Sequence, residues 1–126
     1  MKGSIISGAI HGFLVVALGA FGAHALENIL DEYGTGIWET AVQYQMFHAI
    51  AMLAIGILMS QKLLGSVKQL KSAVICMNLG VVFFSGSLYI LAISGISILG
   101  AVTPIGGVLF LAGWVLVIIA VLKHKN

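Results

Sequence analysis

Hydrophobic and polar positions alternate along this chain on the scale of whole segments. Four long apolar runs extend from about Ser4 to Leu26, Thr40 to Gln61, Ser72 to Ser94 and Pro104 to Leu122, and none carries a charge except at its margins. A helix needs about 20 predominantly apolar residues to cross a bilayer, and each run supplies roughly that length. In hydrocarbon the backbone must satisfy its own hydrogen bonds, which a helix does within one segment. The pattern therefore predicts an all-α fold, an integral membrane four-helix bundle forming a single transmembrane domain over residues 1–126. In the first connector Leu26, Ile29, Leu30 and Tyr33 recur at helical spacing opposite Glu27, Asp31 and Glu32, which predicts a short interfacial helix in the first outer loop. Gly34 and Gly36 are expected to end it, and Trp38 falls where an indole suits the headgroup boundary. Residues 95–103 are uncharged and largely apolar, so that connector is expected to lie against the bundle. Thr103 suits an N-cap and Pro104 the first helical position of the fourth span.

Composition strengthens this reading. The chain is 60% hydrophobic and 8% charged, against about half apolar in an average soluble domain. Its charges sort by sign: Lys2, Lys62, Lys68, Lys71, Lys123 and Lys125 flank one side of the runs, and Glu27, Asp31, Glu32 and Glu39 lie together on the other. Short Lys-bearing segments stay cytoplasmic, so both termini are expected inside. The lysines have no base-reading or stacking partners beside them, and no nucleic-acid partner is expected. Ala23-His24-Ala25 resembles a signal cleavage site, but the apolar run before it is longer than a signal's and only one Lys precedes it, so retention as a helix is the better reading. The single Cys76 lies in the third run and is read as a small core residue.

Polar side chains inside spans are costly and are the natural candidates for function. Two layers emerge. An outer one holds His24, Glu27, Tyr44, Gln45, His48, Ser85 and Tyr89, with His24 and Glu27 one helical turn apart and able to share a proton. An inner pair is His11 with Asn78. Asn78, Ser85 and Tyr89 fall within about 40° of one stripe of the third span. Ser4, Gly8 and Gly12 form a small-residue face suited to close helix packing, within the chain or across a dimer. Most simply, the layers hold helices in register; a proton or solute pathway would use the same residues. Metal or haem ligation by His24 and His48 is a weaker reading, because neither has a second ligand at metal spacing on its own helix. No Ser-His-Asp, HExxH, P-loop or GxGxxG pattern occurs, so neither enzymatic activity nor a cofactor is expected.

The stretches Gly19-Ala-Phe-Gly-Ala-His24, Trp38-Glu-Thr-Ala-Val-Gln-Tyr-Gln45 followed by His48-Ala49, Phe84-Ser-Gly-Ser-Leu-Tyr89, and Thr103-Pro-Ile-Gly-Gly107 leading to Ala112-Gly-Trp114 resemble the small membrane proteins catalogued as domain of unknown function 423. The resemblance covers nearly the entire chain. It implies a multi-pass protein of the bacterial plasma membrane and carries no activity, substrate or site residue with it. Taken together, the sequence leads us to expect a structural or accessory bundle that meets the lipid bilayer and packs as a homo-oligomer or on a larger membrane partner. The alternative is a small oligomeric transporter or proton-conducting unit centred on the outer layer.

Overall fold

The computed structural model describes residues 1–124. Five α-helices, one π segment and one 3-10 turn build four spans: α1 Lys2–His24, α2 Glu32–Leu58, a third span made of α3 Lys68–Gly80, the π segment Val81–Gly86 and α4 Ser87–Ser94, and α5 Thr103–Lys123 behind a 3-10 turn at Ser97–Ala101. All four spans are long and apolar enough to cross a membrane. Gly95, in the left-handed region at φ 70°, ends α4, a geometry that glycine adopts without steric cost.

The first connector differs from expectation. Residues 25–31 form turns, and the expected interfacial helix is absent; α2 begins at Glu32 and runs straight through Gly34 and Gly36. Two local features account for this. Asp31 caps α2, its carboxylate accepting the Gly34 N–H at 2.6 Å, which satisfies one of the donors a helix start leaves free. Gly34 itself is pressed close to the Ala92 carbonyl, 3.2 Å from where a Cβ would stand, so its lack of a side chain serves packing instead of breaking the helix. At the fourth span, Thr103 is already helical and Val102 takes the cap position without a side-chain bond; the Thr103 hydroxyl is engaged with Ser87 at 2.6 Å instead.

Packing is pairwise. α1 lies along α2, α5 lies along α3, and the pairs join where α2 meets α4 and the π segment. Neighbours run antiparallel, as Ser4–Met52 and Gly22–Trp38 show for α1 and α2. Glycine sets how closely they approach. A Cβ at Gly8 would stand 2.7 Å from the Ala49 carbonyl, one at Gly22 would strike the Trp38 indole, one at Gly80 the Phe110 ring, and one at Gly106 the Phe84 backbone. In membranes such small residues let backbones touch and van der Waals packing hold the helices.

The small-residue face of α1 is thus consumed within the chain, with one exception. Ser4 is buried and donates to the Met52 carbonyl at 2.6 Å, and Gly8 is buried, but nothing lies within 4 Å of a Cβ at Gly12. A four-residue step advances about 40° around a helix, so the seam drifts away from Gly12 and passes to Val15, which is buried. Cys76, expected in the core, is half-buried and is not among the residues that form it. The main core gathers Met52, Ile55, Met59, Leu70, Met77, Val81 and Phe110 towards the Lys-bearing end, and a smaller one joins Ala41, Leu88 and Leu91 nearer the acidic end.

Candidate functional site

Two polar constellations occupy the middle of the bundle, and each is centred on a histidine. The first crosses three spans. Asn78 on α3 donates to the Val74 carbonyl at 3.1 Å and to the Ser7 hydroxyl at 3.3 Å, its Oδ1 meets His11 Nε2 at 2.9 Å, His11 Nδ1 meets Gln45 Nε2 at 3.2 Å, and the Tyr89 hydroxyl donates to Gln45 Oε1 at 2.7 Å.

The bonds on the Asn78 side of His11 take their direction from a single group, and those on the Gln45 side follow when the ring is neutral. A backbone carbonyl can only accept, so the bond to Val74 fixes the Asn78 amide with nitrogen towards the carbonyl and oxygen towards His11. That oxygen requires a proton on His11 Nε2. In a neutral imidazole the other nitrogen is then an acceptor, so Gln45 presents its NH2 to Nδ1 and its oxygen to Tyr89. A neutral His11 is thus the Nε2–H tautomer, with both ring nitrogens engaged.

His48 is held differently. Its Nδ1 bonds the Tyr44 carbonyl at 2.8 Å, and its Nε2 accepts from the Trp114 indole N–H at 3.1 Å. The ring lies flat on Phe110, centroids 3.6 Å apart and planes 8° from parallel, and Phe47 stands edge-on at 5.3 Å. A carbonyl can only accept and an indole N–H can only donate, so His48 is the opposite tautomer, Nδ1–H, with both nitrogens engaged.

The expected layers are rearranged accordingly. His11 and Asn78 do meet, but they are not separate from the outer residues, because Gln45 joins them to Tyr89. His24 and Glu27 are both exposed at the acidic end and make no hydrogen bond with each other among the described residues. His48 lies about 24 Å along α2 from its start, since that helix begins eight residues earlier than expected, and so it shares no layer or ligand site with His24. Ser85 is fully buried and donates to the Ala41 carbonyl at 2.8 Å. Tyr44 contributes its ring, 4.4 Å from Phe84. Among the described residues no three His, Cys, Asp or Glu side chains come together as a metal site.

Both tryptophans belong to these constellations, which sequence reasoning missed. Trp38 is buried inside the bundle instead of facing outwards: it donates to the Leu18 carbonyl at 2.9 Å and packs edge-to-face with Tyr89, ring centroids 4.7 Å apart. The readable signal was Gly19 and Gly22 opposite it on α1, which leave space for an indole. For Trp114 the signal was an indole N–H in mid-span, which requires an acceptor in hydrocarbon.

Two clefts flank the His11–Asn78 bond. One of about 350 Å³ at the Lys-bearing end is lined by Ser7, Lys71 and Asn78. Another of about 450 Å³ runs from His11, Gln45 and Tyr89 up to Leu99 and Val102. A third, also about 450 Å³, opens between the acidic ends of α1 and α2, with Glu27, Glu39 and Gln43 at its walls.

Four antiparallel apolar spans tied by buried side-chain hydrogen bonds define an integral membrane helical bundle. The chain belongs to the family described as Protein of unknown function (DUF423), whose sequence signature matches residues 18–107. It is 44% identical to the UPF0382 membrane protein YwdK of Bacillus subtilis (strain 168), covering 98% of this chain and 99% of that one. It is 43% identical to the UPF0382 inner membrane protein YgdD of Escherichia coli (strain K12), over 97% of this chain and 91% of the relative. A third relative, the UPF0382 membrane protein SH2409 of Staphylococcus haemolyticus, is 48% identical over 98% of each. No solved structure matches.

Proposed function

We propose that the protein is a non-catalytic structural or accessory bundle of the plasma membrane, acting by packing with a second copy or a larger membrane protein. The observation that carries this reading is that the polar groups within the spans are spent on one another. Among the described residues no buried side-chain nitrogen or oxygen lacks a partner. A transport route needs groups left free to exchange partners with a solute, and the amides of Asn78 and Gln45 on either side of His11 do not pass protons along a chain of hydrogen bonds. Since the Ser4–Gly8 seam is closed inside the chain, the partner surface moves to the outward faces of α1 and α5, where Phe13, Val16, Val108 and Leu111 stand exposed.

Both termini are cytoplasmic in this reading. It rests on the sorting of charge: Lys2, Lys62, Lys68, Lys71 and Lys123 cluster at one end of the antiparallel bundle, where the excess of Lys marks the cytoplasmic side. Reconstituted into liposomes, the protein should carry no proton or ion flux above empty vesicles, and native mass spectrometry after mild solubilisation should report a defined oligomer or complex. A flux that disappears in His48→Gln, or an apo monomer under all mild conditions, would overturn the proposal. A reporter fused after Asn126 that proved external would overturn the orientation.

A further inference from the structure

Of the two mid-membrane histidines only His11 faces a partner that can turn around. Its Nδ1 accepts from the Gln45 amide, and an amide offers a donor at one end and an acceptor at the other, exchanged by a half-turn about its last torsion. The far end of that amide holds the Tyr89 hydroxyl, and a hydroxyl can donate or accept. Every link between His11 and Tyr89 can therefore be reversed, whereas the link to Asn78 is pinned by the Val74 carbonyl.

We propose that His11 is a proton-binding site whose occupation turns the Gln45 amide and releases the Tyr89 hydroxyl, so that protonation in the Lys-bearing half is reported beside Trp38 near the acidic end. The proton adds to the Nδ1 lone pair. The bond from Gln45 Nε2 to Nδ1 breaks and one from Nδ1–H to Gln45 Oε1 forms. At the other end the Tyr89 O–H bond to Oε1 breaks and one from Gln45 Nε2 to the Tyr89 oxygen forms. Two hydrogen bonds are lost and two are made, and the Tyr89 hydrogen is left to find another acceptor. His11 Nε2 keeps its bond to Asn78 throughout.

The surroundings agree with this. The groups bonded to His11 are Gln45 from α2 and Asn78 from α3, with Ser7 of its own helix beyond Asn78 and the Tyr89 phenol of α4 beyond Gln45. Among the described residues the charged groups along the two flanking clefts are the Lys71 side chain and the Met1 α-amino group, both in the cleft at the Lys-bearing end, and no carboxylate lines either. His11 itself lines the second of these clefts, which gives a proton a way to it. The readout is built in, because the Trp38 indole stands edge-on to the Tyr89 ring at 4.7 Å and is tethered to the Leu18 carbonyl of α1. A change at the Tyr89 hydroxyl therefore reaches both the indole and the α1–α2 seam. The inference goes beyond the structural reading and does not depend on it, since it requires proton binding and no conduction.

The test is tryptophan emission of the chain in lipid nanodiscs, titrated from about pH 9 to about pH 4 so as to bracket the range in which imidazoles take up a proton. The expected result is a reversible one-proton step as pH falls. That step should be lost in His11→Asn, where nothing takes the proton. It should be lost in Gln45→Met, which keeps the His11 ring but cuts its link to Tyr89, and in Trp38→Phe, which removes the reporter and leaves Trp114. Should Trp38→Phe not fold by circular dichroism, the other two variants decide alone. No step in the unmodified chain, or a step that survives either His11→Asn or Gln45→Met, would overturn the proposal.

Discussion

His11 and His48 are the same side chain at similar depths in one bundle, His48 the more buried, and what separates them chemically is their partners. His48 sits between a carbonyl that can only accept and an indole N–H that can only donate, with its ring flat on Phe110. A second proton would put its Nε2–H against the Trp114 N–H, and neither partner can turn. His11 sits between a pinned amide and a free one. An imidazole in a membrane becomes a fixed strut or a movable switch according to whether its neighbours have one hydrogen-bonding face or two.

If that contrast is right, the largest energetic difference should come from removing each ring. His48→Ala should cost about 2–4 kcal/mol, comparable to other buried ring deletions, because it leaves a cavity over Phe110 and the Trp114 N–H without an acceptor. His11→Ala should cost about 1 kcal/mol, two interhelical hydrogen bonds at roughly 0.6 kcal/mol each. Denaturant or SDS unfolding in mixed micelles measures both, and equal losses would break the comparison.

Next comes independence of the two sides. Gly106→Ala pushes into the Phe84 backbone and shifts α5, which carries Trp114 and Phe110; overpacking of this kind costs about 1–3 kcal/mol. It should loosen the His48 side and leave the acid-induced emission step of Trp38 in place. A Gly106→Ala variant that lost this step would show the constellations to be coupled. Trp114→Phe sharpens the contrast from the other direction. It should cost about 1 kcal/mol and free the His48 Nε2 lone pair, so that His48 acquires an acid titration in its imidazole nitrogen resonances. Smallest is Gly12→Ala, next to His11 in sequence but open to space, which should change stability by less than about 0.5 kcal/mol.

The number of spans, their polarity and the identity of most mid-span polar residues could be read from the sequence, because apolar run length and charge need no knowledge of contacts. What stayed hidden was set by pairs. Asp31 and Gly34 turn an expected interfacial helix into the start of α2, and only the position of Ala92 explains why glycine suits that place. The assumption of 100° per residue breaks at the π segment, where Gly106 presses on Phe84, and a regular spacing carries no sign of such a crossing. Trp38 read as an anchor because an indole near the end of a span usually is one; its burial depends on Gly19 and Gly22 across the seam. Gln45 could be named as polar, but its part as the bridge between His11 and Tyr89 depends on three helices meeting at one depth.

The most direct test of the contrast is nitrogen-15 magnetic resonance of histidine-labelled protein in lipid, with His11 and His48 assigned by single substitution. The account predicts opposite neutral tautomers at high pH, a proton on Nε2 of His11 and on Nδ1 of His48, and on acidification a doubly protonated signal that appears at His11 first while His48 keeps its single proton. The same tautomer at both sites, or both rings titrating together, would contradict it.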